Sequence, residues 1–122
     1  EPVLSGPEIE VLQDLTRQMP APENVVSYAV RLVSASRPSS EHCDEWASAR
    51  IKWGSGSRGS QALVLAAKAR ALLNGRPNAS IEDIQSLAIP ALRHRILPSF
   101  LAESEGTGVD AIIAHMLEKV SA

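Results

Sequence analysis

The stretch "SRGSQALVLAAKARALLNGRP", residues 57 to 77, constrains the fold more than any other. Ala62, Leu65, Ala66, Ala69, Leu72 and Leu73 recur at helical spacing and give a wide apolar face rich in small residues. The pattern predicts a helix over roughly residues 58 to 74. Asn74-Gly75 stops it and Pro77 lies just beyond, because Gly readily takes the left-handed conformation that closes a helix and Pro cannot continue one. Small residues let neighbouring helices approach closely, so this segment is expected to be the central helix of a bundle.

The rest of the chain repeats the same punctuation. Ser5 and Glu8 have capping-box spacing and Pro7 suits a first turn, so a helix is expected after Ser5, with Ile9, Leu12, Leu15 and Met19 as its apolar stripe. "MPAP" ends it. A second helix opens at Pro22 and runs to about Arg37, with Val25, Ala29, Leu32 and Val33 inward and Val26 and Val30 widening the stripe. It is expected to pair antiparallel with the first. "SRPSSEHCDEWASARIKWGSGS" reads as a long connection with a helical turn at Glu41 to Trp46, pinned to the bundle by Trp46 and Trp53. Ser80 and Asp83 form another capping box, before Ile81, Ile84, Leu87 and Ala88. Pro90 kinks or restarts that helix, which continues through "ALRHRI". Thr107 and Asp110 repeat the capping spacing before Ile112, Ile113, Met116, Leu117 and Val120. No solenoid-length repeat and no convincing strand pair is present. Aromatics are 3% of residues, so Leu, Ile, Val and Ala must fill the core, which favours packed helices over a β-sandwich. Residues 1–122 therefore read as one all-α domain, a compact bundle of about five or six helices.

Several functions are disfavoured. A formal charge of −2 supplies no large basic field, which argues against nucleic-acid binding, including a helix-turn-helix reading of "ALLNGRPNASIEDIQSLA". The single Cys43 excludes an internal disulfide and suits a reducing compartment. No apolar run approaches the ~20 residues of a membrane span, and no signal-peptide pattern is read. His42, Cys43, Asp44 and Glu45 are adjacent, point in different directions and cannot converge on one metal ion, so no metal site is expected. His115 reads as a helix-edge histidine, and no Ser–His–Asp set can be drawn. No GxxxxGK[ST] loop follows a strand, and no strand ends in acidic residues that could hold Mg²⁺, so the chain alone is not a P-loop enzyme. Arg93, His94 and Arg95 fit cations opposing the negative end of a helix dipole.

The turn "WGSGSRGSQ", residues 53 to 61, is less easily dismissed. Gly54 and Gly56 permit tight backbone geometry and Ser57 is placed to cap the helix. Arg58 then stands in the first turn, beside unpaired amides and the positive dipole end, where a cation is mildly unfavourable. A phosphate would reverse that sign. By spacing, Arg58 shares a face with Ala62, Leu65, Ala69 and Leu72, at the end of the expected buried stripe. An exposed or carboxylate-paired arginine is the simpler alternative.

"WGSGSRGSQALVLAAKARALLNGRPNASIEDIQSLAIPALRHRI", residues 53 to 96, resembles the C-terminal helical lid of MoxR-type AAA+ ATPases. The family pattern is a small-residue turn ending in Arg, a QALxxAAKAxALLxGR helix, a start with V/I followed by D-V/I, and VLxHRI. These match Gly54 to Arg58, Gln61 to Arg76, Ile81 to Ile84 and Leu92 to Ile96, and "YAVRLVSASRP" upstream fits the preceding helix. Ser57 departs from a frequent Pro; both suit a helix start. The resemblance implies that Arg58 is the sensor-2 arginine, approaching the γ-phosphate of ATP, with Ser57 and Gly56 near the phosphates. It implies a P-loop α/β domain before Glu1 in an intact chain, from which this lid would be excised. It further implies ATP and Mg in that protein but none bound to this fragment, which would have no activity alone. Cytoplasmic ring oligomers, often hexamers, would act as chaperones on partners that can carry von Willebrand factor A domains. Arg58 could serve its own subunit's ATP or a neighbour's. The alternative is a self-standing helical module that recruits a protein partner without nucleotide.

Overall fold

A computed structural model describes residues 1–122. Seven helices, α1 (Gly6–Gln18), α2 (Glu23–Ser34), α3 (Glu45–Arg50), α4 (Ser57–Leu73), α5 (Ile81–Leu92), α6 (Phe100–Glu105) and α7 (Val109–Lys119), make the fold all-α. The count exceeds the expected five or six because α3 and α6 are short. Each is begun by a side-chain cap, the Asp44 carboxylate accepting from the Ala47 amide at 2.9 Å and the Ser99 hydroxyl from the Ala102 amide at 3.3 Å. The helical turn expected at Glu41 to Trp46 therefore starts later, after its Asp44 cap. A strand pair that the sequence did not reveal joins β1 (Ile51–Trp53) to β2 (Leu97–Pro98), antiparallel, with Ile51 opposite Pro98 and Trp53 opposite Leu97. Segments of three and two residues are too short to show an alternation. No helix is long and apolar enough to cross a membrane.

Helix α4 is central, packed against α1, α2 and α5, while α7 rests on α5 and α3. The inward residues of α2 are Val25, Ala29, Leu32 and Val33, as the spacing predicts, together with Tyr28. On α4 the buried residues are instead Gly59, Leu63, Ala67 and Ala71, a strict four-residue row. Leu65 and Leu73 of the expected face are exposed, Leu73 by 86%. Small apolar residues occur all round α4, so periodicity alone cannot choose its inward side. The row of Gly, Leu, Ala and Ala lets α5 come closest, and packing makes the choice.

Helix α1 departs further. It buries no residue; of the expected stripe Ile9, Leu12 and Leu15 are exposed, and only Met19, just past its end, is half-buried. It lies on α4 rather than forming the expected pair with α2. The Lys68 ammonium donates to the Arg17 carbonyl there, at 3.3 Å. Its N-terminus is nevertheless as read, with the Ser5 hydroxyl accepting from the Glu8 amide. Trp46 stacks on His115 with ring centroids 4.3 Å apart, but Trp53 is 68% exposed and pins nothing. Pro90 sits within α5 without ending it, on an exposed flank where water can reach the Ser86 carbonyl it leaves unbonded. The helix stops at Leu92, short of Ile96. Thr107 does not cap α7, whose N-cap is Gly108. Its amide closes α6 instead by donating to the Ala102 carbonyl, across Gly106 at φ 78°.

The α4–α5 corner is the most constrained part of the bundle. Gly75 takes φ 69°, and the Arg76 amide donates to the Ala71 carbonyl at 2.9 Å, the expected glycine stop. Past it, Ser80 and Asp83 form a complete capping box. The Asp83 side chain is wholly buried. It accepts from both terminal nitrogens of Arg76, from Arg70 at 2.6 Å and from the Ser80 amide at 2.8 Å. The Arg76 guanidinium, helped by Arg70 and Ser80 against the cost of burial, holds this carboxyl far below the usual carboxylate range.

A depressed folded pKa makes Asp83 stabilising wherever it is ionised in both states. That contribution is complete above the unfolded value of about 3.9 and is lost as pH falls below it toward the folded value. Asp83→Asn should lower stability at pH 7 by about 3 kcal/mol in urea denaturation, because two arginines lose their shared anion. The variant should also show a shallower loss of stability below about pH 4 than the wild type.

Candidate functional site

The turn between β1 and α4 is clamped to the end of α2. Ser36 is fully buried; its hydroxyl donates to the Val33 carbonyl at 2.6 Å and accepts from the Ser55 amide at 2.9 Å. The Arg37 Nε donates to the Ser55 carbonyl at 2.7 Å. A Cβ on Gly54 would stand 2.0 Å from the Ser36 carbonyl oxygen, so only glycine lets the two backbones meet. A Cβ on Gly59 would meet the Ser55 Oγ at the same 2.0 Å, which holds the first turn of α4 against the clamp.

Gly56, Ser57 and Arg58 follow this anchor and all three are exposed. Gly56 is the N-cap, with no side-chain cap. Ser57, read as the cap, is instead the first helical residue, and its carbonyl accepts from the Ser60 hydroxyl at 2.8 Å. The clamp on Ser55 starts the helix one residue early. Arg58 does not end a buried stripe; the buried row begins at its neighbour Gly59 and the guanidinium points to the outer surface.

Two features set this helix start apart. Every other helix carries an acidic residue in its first turn, but α4 has none. Eight of the nine arginines donate a hydrogen bond within the chain, to Asp14, Ser121, Ser55, Glu105, Asp83, Asp110 or Ala91. Arg58 alone makes no hydrogen bond or ion pair there. An exposed guanidinium thus stands in the first turn of a 17-residue helix that carries no carboxylate there to neutralise it. Gly56 has nothing within 4 Å of a Cβ position, so an anion could reach the backbone.

The other sequence candidates are dispersed. Arg93 pairs with Asp110 at 2.9 Å and Arg95 returns to the Ala91 carbonyl, while His94 is exposed. Asp44 both caps α3 and meets His115 Nε2 at 2.6 Å. Burial alone would raise the Asp44 carboxyl, but the Ala47 amide and His115 outweigh it and lower its pKa. Burial and the neighbouring Asp44 push the Cys43 thiol up. His115 is therefore a packing residue between α3 and α7, stacked on Trp46, with Arg50 on Trp46 in turn at 4.3 Å and donating through Nε and Nη2 to Glu105. No spacing rule connects positions 44 and 115 in sequence.

Residues 43–116 match the family model of the AAA lid domain, and the chain belongs to that family. It is 32% identical over 120 residues to the uncharacterized protein YeaC of Bacillus subtilis, covering 98% of this chain and 35% of YeaC. It is 24% identical over 119 residues to the chaperone MoxR1 of Mycobacterium tuberculosis, covering 98% of this chain and 32% of that protein. A crystal structure of a provisionally assigned ATPase from Cytophaga hutchinsonii superposes with a TM-score of 0.83 at 32% identity, over 88% of this chain and 33% of that one. The lid is thus of the MoxR type. The chain spans about a third of the length of the curated relatives it matches.

Gly54→Ala should destabilise the domain by about 2–3 kcal/mol in urea denaturation, because backbone rather than a movable side chain occupies the Cβ position. Gly56→Ala, with open space around it, should cost under about 1 kcal/mol.

Proposed function

We propose that residues 1–122 are the lid of a longer MoxR-like AAA+ ATPase, closing over ATP held by a P-loop domain that precedes them. Arg58 is its sensor-2 residue. The observation that carries this is the freedom of Arg58, the one arginine without a partner, at the one helix start without an acid. A polyphosphate fits such a point. The planar guanidinium can donate two parallel hydrogen bonds to phosphoryl oxygens, and the first amides of α4, near Gly56 and Ser57, add donors on the same side. ATP with Mg²⁺ supplies the phosphoryl group whose transfer to water drives the cycle, the metal being held by the other domain. Arg58 steadies negative charge as it develops on that group. The lid alone is not an enzyme: it contributes one cation and a rigid body.

The mechanical role follows from the clamp. Ser36, Arg37 and Ser55 tie the turn to α2, so movement of Arg58 toward a phosphate carries the bundle with it. Kinship with the chaperone MoxR1 supports action on client proteins; the family resemblance implies in addition a cytoplasmic ring of such subunits, with clients among them that carry von Willebrand factor A domains. In the longer protein, Arg58→Ala should lower ATP hydrolysis about 100-fold. Helical content and melting temperature should stay at the wild-type level, since Arg58 holds nothing in the lid. Wild-type hydrolysis by the folded variant would overturn the assignment.

A further inference from the structure

Asn74 and Gly75 stop α4, and the same pair can react with itself. The carbonyl carbon of an asparagine side chain is open to attack by the backbone nitrogen of the next residue, which closes a five-membered ring. A Cβ on that next residue hinders the approach. Asn24 is followed by Val25 and Asn78 by Ala79, but Asn74 is followed by glycine, which has no Cβ. Asn74 and Gly75 are both exposed, and nothing lies within 4 Å of a Cβ position on Gly75, so water has room beside the pair.

The fold holds the two reacting groups apart. At ψ 7° the Gly75 nitrogen eclipses the backbone nitrogen of Asn74 and is turned away from the side chain. It donates to the Leu72 carbonyl at 3.1 Å, and the Asn74 Nδ2 donates to the Arg70 carbonyl at 2.9 Å. Attack requires the Cα–C bond of Asn74 to rotate, which breaks the bond to Leu72. The chain beyond resists that rotation. The Arg76 amide is tied to the Ala71 carbonyl, and the Arg76 guanidinium is tied to Asp83 through both terminal nitrogens.

We propose that Asn74-Gly75 is a deamidation site gated by the α4–α5 corner, inert while the Arg70–Arg76–Asp83 network holds and reactive when it lets go. In the open corner the Gly75 nitrogen loses its proton and bonds to Asn74 Cγ. The bond from Cγ to Nδ2 breaks, and ammonia leaves with that proton. Water then adds to one of the two carbonyls of the cyclic imide. The C–N bond that breaks decides whether aspartate or isoaspartate remains. The product acts back on the corner. Asn74 lines an open polar cavity of about 490 Å³ with Arg70, Arg76, Ser80 and Glu82. A carboxylate there has no proton to give the Arg70 carbonyl, faces the negative end of α4, and competes with Asp83 for Arg70 and Arg76. Water does not restore the amide, so conversion is one-way and records that the corner has opened.

Peptide mapping by mass spectrometry tests this on the longer protein, incubated at neutral pH, by counting aspartate and isoaspartate at position 74. Conversion in the wild type should be at least about 100-fold slower than in concentrated urea, where the corner is gone. Asp83→Asn should speed it at least about tenfold, while Gly54→Ala, which disturbs the opposite end of α4, should leave it within about twofold of the wild type. If Asp83→Asn is unfolded by circular dichroism, Arg70→Gln takes its place with the same expectation. Asn24 and Asn78 should stay unconverted in every folded variant. Asn74→Asp should raise hydrogen exchange at the Gly75 and Arg76 amides at least about tenfold, as a loosened corner requires. No conversion in urea would overturn the site. Equal acceleration by Asp83→Asn and Gly54→Ala would mean that the reaction waits for global unfolding, and would overturn the gate. Unchanged exchange in Asn74→Asp would overturn the action of the product on the corner.

Discussion

A wholly buried carboxylate governs this bundle. Taking Asp83 out of water costs several kcal/mol unless its oxygens are fully occupied. Arg70 arrives from the last turn of α4, Arg76 from the corner and Ser80 from the cap of α5. Few arrangements of a helix end, a glycine turn and a helix start bring all three donors to one point. The network therefore sets the direction in which α5 leaves α4, and these two helices carry much of the core, with Leu63, Ala67, Ile84, Ala88 and Leu92 all inside.

The other end of α4 is held by a different device. At Gly54 the backbone of the turn lies directly on that of Ser36, and Ser55 is gripped on its amide by Ser36 and on its carbonyl by Arg37. A helix of 17 residues, about 25 Å long, is thus fastened at both ends. Arg58 emerges one turn from the clamp, on a rigid strut rather than a loose loop. The remaining arginines are engaged in caps, corners and ion pairs, which gives the freedom of Arg58 its meaning. Eight of the nine arginines are held within the chain, and Arg58 is left without a partner at a helix start.

Much of this was legible in the residues, and the exceptions share a cause. The side-chain cap at Ser5, the capping box at Ser80, the stop at Asn74-Gly75 and the inward face of α2 are local, and neighbours in sequence decide them. The inward side of α4 was misjudged because small apolar residues surround that helix, and only the approach of α5 selects the row through Leu63. The stripe of α1 is regular and still unburied, since periodicity reports that a face is apolar and not what will cover it. Asp83 was read as a cap and is also the anchor of two arginines, a role that depends on the path of the chain through the corner. At the turn, Arg58 was singled out from its neighbours, but Ser57 was given the capping role that falls to Gly56.

By itself the sequence determined the helical class, most helix limits and the odd placement of a cation at the start of α4. Each follows from interactions over a few residues: hydrogen bonds to the next turn, the backbone freedom of Gly, the missing donor of Pro. The tertiary structure alone decided which sides of α1 and α4 lie inside, that β1 finds β2, that His115 meets Asp44 across 71 positions, and that Arg58 has no partner. Those facts depend on which distant groups arrive within reach, and distance along the chain carries almost no information about distance in space.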